Sequence, residues 1–192
     1  ALDANTTASY NNALGHNALT ANTTGAFNHA FGNASMGANT TGSSNVAMGY
    51  NSLGSNSTGG NNVAIGHQAL SNNTASSNTS IGYNSLVSNT TGTENVAVGS
   101  LALDGNTTGS ENTAIGYEAL SASLTNGGNT AVGRKALKSN TGALNTAVGG
   151  KSLESNTSGT YNVSVGYAAL TSNTTANENT AVGYYALYAL SS

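Results

Sequence analysis

Tyr50, Tyr83, Tyr117, Tyr167 and Tyr184 each follow a glycine in the same sequence context, and His16 and His67 occupy the equivalent place. Aromatic side chains in a row can stack on sugar rings, so this column is a candidate surface contact for a glycan. The plainer reading has each Tyr covering the edge of an apolar seam with its hydroxyl in water, and Ser100, Arg134 and Gly150 interrupt the column. Glu94 and Glu111 also recur at one register, and stacked repeats would hold their carboxylates roughly 5 Å apart. Such a pair suits a cation or the acid and base of glycoside hydrolysis. Gly128 breaks that column too, no third ligand column accompanies it, and a solvated pair is expected.

Other chemistry lacks its parts. His16, His29 and His67 do not show zinc-ligand spacing, and His29 falls in a column that elsewhere holds Thr or Val. No G-x-S-x-G elbow accompanies the many serines, and the calcium-binding nonapeptide of other solenoids is missing. The expectation is therefore a non-enzymatic protein with no catalytic residue, no metal and no cofactor. Arg134, Lys135, Lys138 and Lys151 are too few for a nucleic-acid surface, which depends on many phosphate contacts. They form at most a local positive patch for an acidic glycan or partner, and more simply a solvated stretch.

These residues must be positioned by an unusual chain. Only 6% of its residues are charged, its net charge is −3, and it contains no Pro, Cys or Trp. So little charge does not hold a chain open, and small side chains together with Asn and Thr must build the structure. The lack of Cys excludes disulfides and thiolate metal sites, and no apolar run is long enough to span a membrane. No charged and apolar leader segment is recognisable at Ala1.

The organising feature is a repeat. Gly15, Gly32, Gly49, Gly66, Gly82, Gly99, Gly116, Gly133, Gly149, Gly166 and Gly183 are spaced by 17 residues, with two steps of 16. Four residues before each stands an Asn: Asn11, Asn28, Asn45, Asn62, Asn78, Asn95, Asn112, Asn129, Asn145, Asn162 and Asn179. The unit reads N-x-[AS]-[VILMF]-G-x-x-[AS]-L-x-x-N-T-T-G-x-x, two short strand-like pieces separated by bends. Each piece is too short to stand alone, so successive units must stack. The expected fold is all-β: one parallel β-solenoid of about eleven coils spanning 1–192, a rod on the order of 50 Å long.

Within this frame the Asn residues are expected to form a side-chain amide ladder. The glycines are expected to mark a conformation, or a close approach of chains, that excludes a Cβ. Alternation places Thr113 and Ile115 on one side of a strand and Asn112, Ala114 and Gly116 on the other. Either the Val/Ile/Leu column or the Ala column must face outward and pack against another surface, most simply in a homotrimer; the sequence leaves open which. Turns such as Asn22-Thr23-Thr24 and Asn106-Thr107-Thr108 match N-x-[ST] and would be exposed glycosylation acceptors if the host secretes the protein through a suitable pathway. The array starts in phase at Ala1, and 184–192 reads as a cap or junction in which Leu190 replaces a turn Asn. End-to-end stacking of subunits into a filament is a further expectation.

The N-x-A-[VI]-G pentads, as in Asn95 to Gly99 and Asn129 to Gly133, resemble the head repeats of YadA-like trimeric autotransporter adhesins. Units worded NTTGxxNTAVGYxAL are similar to repeats of bacteriophage tail-fibre proteins and related bacterial surface proteins. The resemblance covers essentially the whole chain and implies a left-handed parallel β-roll in a trimer. It implies an extracellular location, at a cell surface or in a secreted filament or virion fibre, and a host-surface glycan or protein receptor. The adhesin head repeat is shorter, so the extra residues here are expected to enlarge the Asn-Thr-Thr-Gly turn. The family's coiled-coil stalk and membrane anchor are not present in this sequence.

A second class is an ice-binding solenoid, since N-x-V-x-G coils also resemble a grass antifreeze β-roll. Against it, the paired turn threonines are consecutive and point apart, and Val46, Val63, Val96 and Val163 replace the pentad Thr. A structural fibre or adhesin segment is the leading expectation.

Overall fold

The computed structural model describes residues 1–188, so the junction at 184–192 is seen only as far as Tyr188, and Leu190 lies outside the described residues. Eleven three-residue strands follow in order: β1 (Asn12–Leu14), β2 (His29–Phe31), β3 (Val46–Met48), β4 (Val63–Ile65), β5 (Thr79–Ile81), β6 (Val96–Val98), β7 (Thr113–Ile115), β8 (Thr130–Val132), β9 (Thr146–Val148), β10 (Val163–Val165) and β11 (Thr180–Val182). They form one parallel sheet in sequence order. Pairing is in register, so that Ala97, Ala114 and Ala131 lie side by side. The fold is a β-solenoid in which each coil returns the chain to the position above its predecessor.

Register explains why three residues suffice for a strand. In β7 the Thr113 N–H donates to the Asn129 carbonyl of the following coil at 2.8 Å, and the Gly116 N–H donates to Val98 of the preceding coil at 2.8 Å. Both 16-residue coils absorb their missing residue in the turn, between Asn73 and Asn78 and between Asn140 and Asn145. The strand pairings Ile65 with Ile81 and Val132 with Val148 are kept. A deletion in a turn is tolerated; one in a strand would flip its side chains to the wrong face.

The second strand-like piece is not a strand. Glu118 and Leu120 have φ of 53° and 54°, as do their counterparts in other coils, and a left-handed backbone cannot run extended. The segment is a double corner. It still bonds to its neighbours, the Leu103 N–H donating to Ala119 and the Leu120 N–H to Ala136, each at 3.0 Å. A Leu in the left-handed region costs about 1–2 kcal/mol. Complete burial of the same side chain gains about 1.5–3 kcal/mol.

The inward side is now decided. Ala30, Ala47, Ala64, Ala97, Ala114, Ala131 and Ala147 are fully buried, as are the Leu residues from Leu19 to Leu170, with Met36 in one coil. The core is one thin stack, with a small residue from the strand facing a Leu from the corner. Ser80 and Ser164 take the Ala position in two coils, and their hydroxyls donate to the carbonyls of Ser85 (2.8 Å) and Ala169 (2.9 Å). At the glycine column both expected reasons hold. Gly116 has φ of +137°, and a Cβ there would lie 2.6 Å from the carbonyl of Gly133.

Candidate functional site

The pentad Asn side chains are fully buried from Asn28 to Asn162 and form the expected ladder. The Asn95 backbone N–H donates to Asn78 Oδ1 at 3.0 Å, and Asn95 Nδ2 donates to the same oxygen at 3.2 Å and to the Gly109 carbonyl at 2.8 Å. Asn95 Oδ1 then accepts from the Asn112 N–H at 3.0 Å. One amide therefore ties the strand of its own coil to the previous coil and to the turn of the next.

A second ladder was not expected. The turn Asn residues are also fully buried, with Asn39 Nδ2 donating to Asn22 Oδ1 at 2.8 Å and to the Gly42 carbonyl at 3.0 Å. The pattern repeats at Asn89 to Asn106 (2.8 Å) and Asn156 to Asn173 (3.0 Å). Its regular recurrence at the start of every Asn-Thr-Thr-Gly turn was the available signal. The burial overturns the glycosylation expectation: Asn22 and Asn106 have no exposed surface, so neither amide is an acceptor in the folded rod. Two buried oxygens, Asn56 Oδ1 and Asn106 Oδ1, lack a partner. After Asn56 the shortened turn redirects Asn73 Nδ2 to the Ala75 carbonyl, and after Asn106 the ladder position is Ser123.

Outside the sheet, Val, Ile, Leu, Met or Phe projects from every strand, preceded two residues earlier by Thr or Val in β3 to β11, by Asn12 in β1 and by His29 in β2. Leu14 and Val182 at the two ends are 69% and 70% exposed, whereas Ile115 in the middle is 40% exposed, because its neighbours cover it only along the rod. The result is an unbroken apolar ladder running the whole length of the sheet. A ladder about 50 Å long is more than scattered apolar exposure.

The chain matches no protein-family model, no curated protein and no solved structure with which it was compared. The reading of its surface therefore rests on its own geometry.

The Tyr and His column divides into separate stacks. His67 lies between Tyr50 and Tyr83, with ring centroids 5.2 and 5.3 Å away and interplanar angles of 24° and 23°. Tyr167 stacks on Tyr184 at 5.8 Å. These rings turn their faces to one another along the rod, leaving mainly edges and hydroxyls to solvent. Tyr117 stands apart, beside Glu118.

Glu94 and Glu111 sit at equivalent corners of adjacent coils. Glu111 borders a shallow open cleft of about 440 Å³ with Thr108, Ser110, Thr125 and Leu144, open because Gly127 and Gly128 carry no side chains. His29 Nδ1 accepts from the Asn12 Nδ2 amide at 2.9 Å, within the outward strand column. Among the described residues no three His, Cys, Asp or Glu side chains gather as a metal set, and no helix is long and apolar enough to cross a membrane. Three of the four basic residues are paired: Lys138 Nζ and Lys135 Nζ lie 2.6 and 3.9 Å from Glu118 Oε2, and Lys151 Nζ lies 3.8 Å from Glu154. Lys138 and then the Tyr117 hydroxyl hold the Glu118 carboxyl below its ordinary range, while burial pushes Asp104 up.

Proposed function

We propose that this chain is a structural, non-enzymatic segment of an extracellular fibre: a rigid rod of a surface filament, trimeric adhesin or phage tail fibre. The observation that carries this reading is the outward apolar ladder, which a solitary rod would leave in water along its whole length. Three copies related by a threefold axis would bury it, each presenting the same sheet face to the axis. The resemblance of the pentads to adhesin head repeats carries the expectation of a left-handed coil. The resemblance of the pentads to adhesin heads and tail-fibre repeats points to a cell surface, secreted filament or virion, with a glycan or protein receptor. Light scattering on the purified chain tests the assembly: a particle of three times 18.9 kDa is expected, and a strict monomer at high concentration overturns it.

Ice binding is the second reading, favoured by one observation. Thr113 with Ile115, Thr130 with Val132 and Thr146 with Val148 form an in-register Thr-x-[Val/Ile] array on the outward face. The two readings require opposite fates for this face, buried in a trimer or free to meet a crystal. Thermal hysteresis from a monomeric chain would select the second.

A further inference from the structure

Asn126 is the sole Asn in the chain that precedes a glycine, and among the described residues it stands in the one coil whose turn lacks the ladder Asn, Ser123 taking that place. In most other coils its place belongs to the turn glycine, as at Gly109 and Gly159, and in four coils the next N–H is capped by a side chain of the following coil. Thr93 N–H donates to Ser110 Oγ at 3.0 Å, and Thr160 N–H to Asn177 Oδ1 at 2.7 Å. The other coil ahead of a shortened turn does the same, with Gly60 N–H donating to Ser76 Oγ at 3.0 Å. For Gly127 the residue in the Ser76 place is Ala143, which has no hydroxyl. Among the described residues the Gly127 N–H finds no acceptor.

We propose that Asn126 is a self-modification site, deamidating through a succinimide far faster than any other Asn of this chain. The Gly127 backbone nitrogen loses its proton to solvent and attacks Asn126 Cγ. The new N–Cγ bond forms as the Cγ–Nδ2 bond breaks, and Nδ2 leaves as ammonia. Water then opens the ring at either carbonyl, giving aspartate or isoaspartate; no electrons are exchanged. Three features favour attack here: no Cβ crowds the nitrogen, no hydrogen bond holds its proton, and Asn126 is half-exposed. The pentad Asn residues from Asn28 to Asn162 are protected on each count. Asn112 is buried, and its successor Thr113 is β-branched with its N–H bonded to Asn129 at 2.8 Å.

The consequence is local. Asn126 Nδ2 donates to the Thr141 carbonyl, and a carboxylate in its place would face that oxygen without a proton. Isoaspartate would also insert a methylene into the backbone between Asn126 Cα and the Gly127 nitrogen, taking the Asn126 carbonyl, which accepts from Asn112 Nδ2 at 3.1 Å, out of the main chain and shifting the Gly128 N–H, which donates to the Ser110 carbonyl at 3.1 Å. Modification therefore loosens the coil at the break in the turn ladder and adds one negative charge there.

Incubating the full chain in warm, mildly alkaline buffer and mapping peptides by mass spectrometry tests this. A gain of about one mass unit should accumulate at Asn126 while the ladder Asn residues stay intact. Ala143→Ser should slow it about fivefold, the effect of one net hydrogen bond on the reacting nitrogen. Asn126→Gly, which installs the residue common in other coils, should abolish it with the fold kept. An unmodified Asn126, product spread evenly over many Asn residues, or an unchanged rate in a folded Ala143→Ser variant would each overturn the proposal.

Discussion

The difference between Asn95 and Asn106 shows what a ladder rung is worth. Asn95 satisfies a backbone N–H, a neighbouring amide and a turn carbonyl in a site without water, so truncation strands several buried groups together. Asn95→Ala should cost about 2–4 kcal/mol, since each buried group left unpaired costs about 1–3 kcal/mol. Asn106 already ends its ladder with an unpaired Oδ1, so Asn106→Ala removes an existing penalty along with its bonds and should cost clearly less. Denaturant unfolding of the two variants checks the order, and equal losses would count against a ladder in which each amide depends on its neighbour. The pentad Asn was legible in the sequence because it never varies. The turn Asn is nearly as regular, but Asn-Thr-Thr-Gly reads as an exposed turn, and burial of a turn amide follows only once the coil's cross-section is known.

At the scale of one coil, the corner was the illegible element. Ala119-Leu120 carries the small-then-large wording of Ala114-Ile115, and nothing in residue type says that Leu120 is left-handed while Ile115 is extended. Stacking decides it, because repeated corners keep their inter-coil hydrogen bonds and bury one Leu each. The same corners line up the charged residues at positions 104, 118, 135, 138, 151 and 154. The carboxyl of Glu118 is depressed from its ordinary 4.5, chiefly by Lys138, so its ionised form is favoured by folding. Its contribution is present above pH 4.5 and lost as pH falls below that through the lower folded value. Asp104 is raised from 3.8 by burial, so acidification favours the fold there and works in the opposite direction. Glu118→Gln should therefore flatten the acid-side fall in melting temperature, whereas Asp104→Asn should steepen it and raise stability at neutral pH. Melting curves of the three proteins between pH 3 and 7 separate these outcomes, and parallel curves would show that neither carboxyl is coupled to folding.

For the whole molecule the two columns of a strand ask for opposite treatment. Ala114 has no free space, and any larger side chain must push the sheet away from the Leu stack, so a change there tests folding. Ile115 projects outward beside Val98 and Val132, and a change there leaves the coil's own packing alone. The sequence showed both columns as sterically restricted but not which was inside; the answer came from the corner, whose Leu fills the core so completely that only Ala or Ser fits opposite. What remains outside is apolar, and it is continuous because the repeats are in register. Ile115→Lys should consequently leave the unfolding free energy of a dissociated chain within about 0.5 kcal/mol of the parent's, as for a surface substitution. In the proposed trimer it places three ammonium groups in one dry layer near the axis, where unpaired buried charge costs several kcal/mol for each ion. Sedimentation of the folded variant should then show dissociation to single chains at concentrations where the parent remains associated. If the Lys variant keeps the parent's mass, the ladder does not line the interface, and the association must run through another face of the rod.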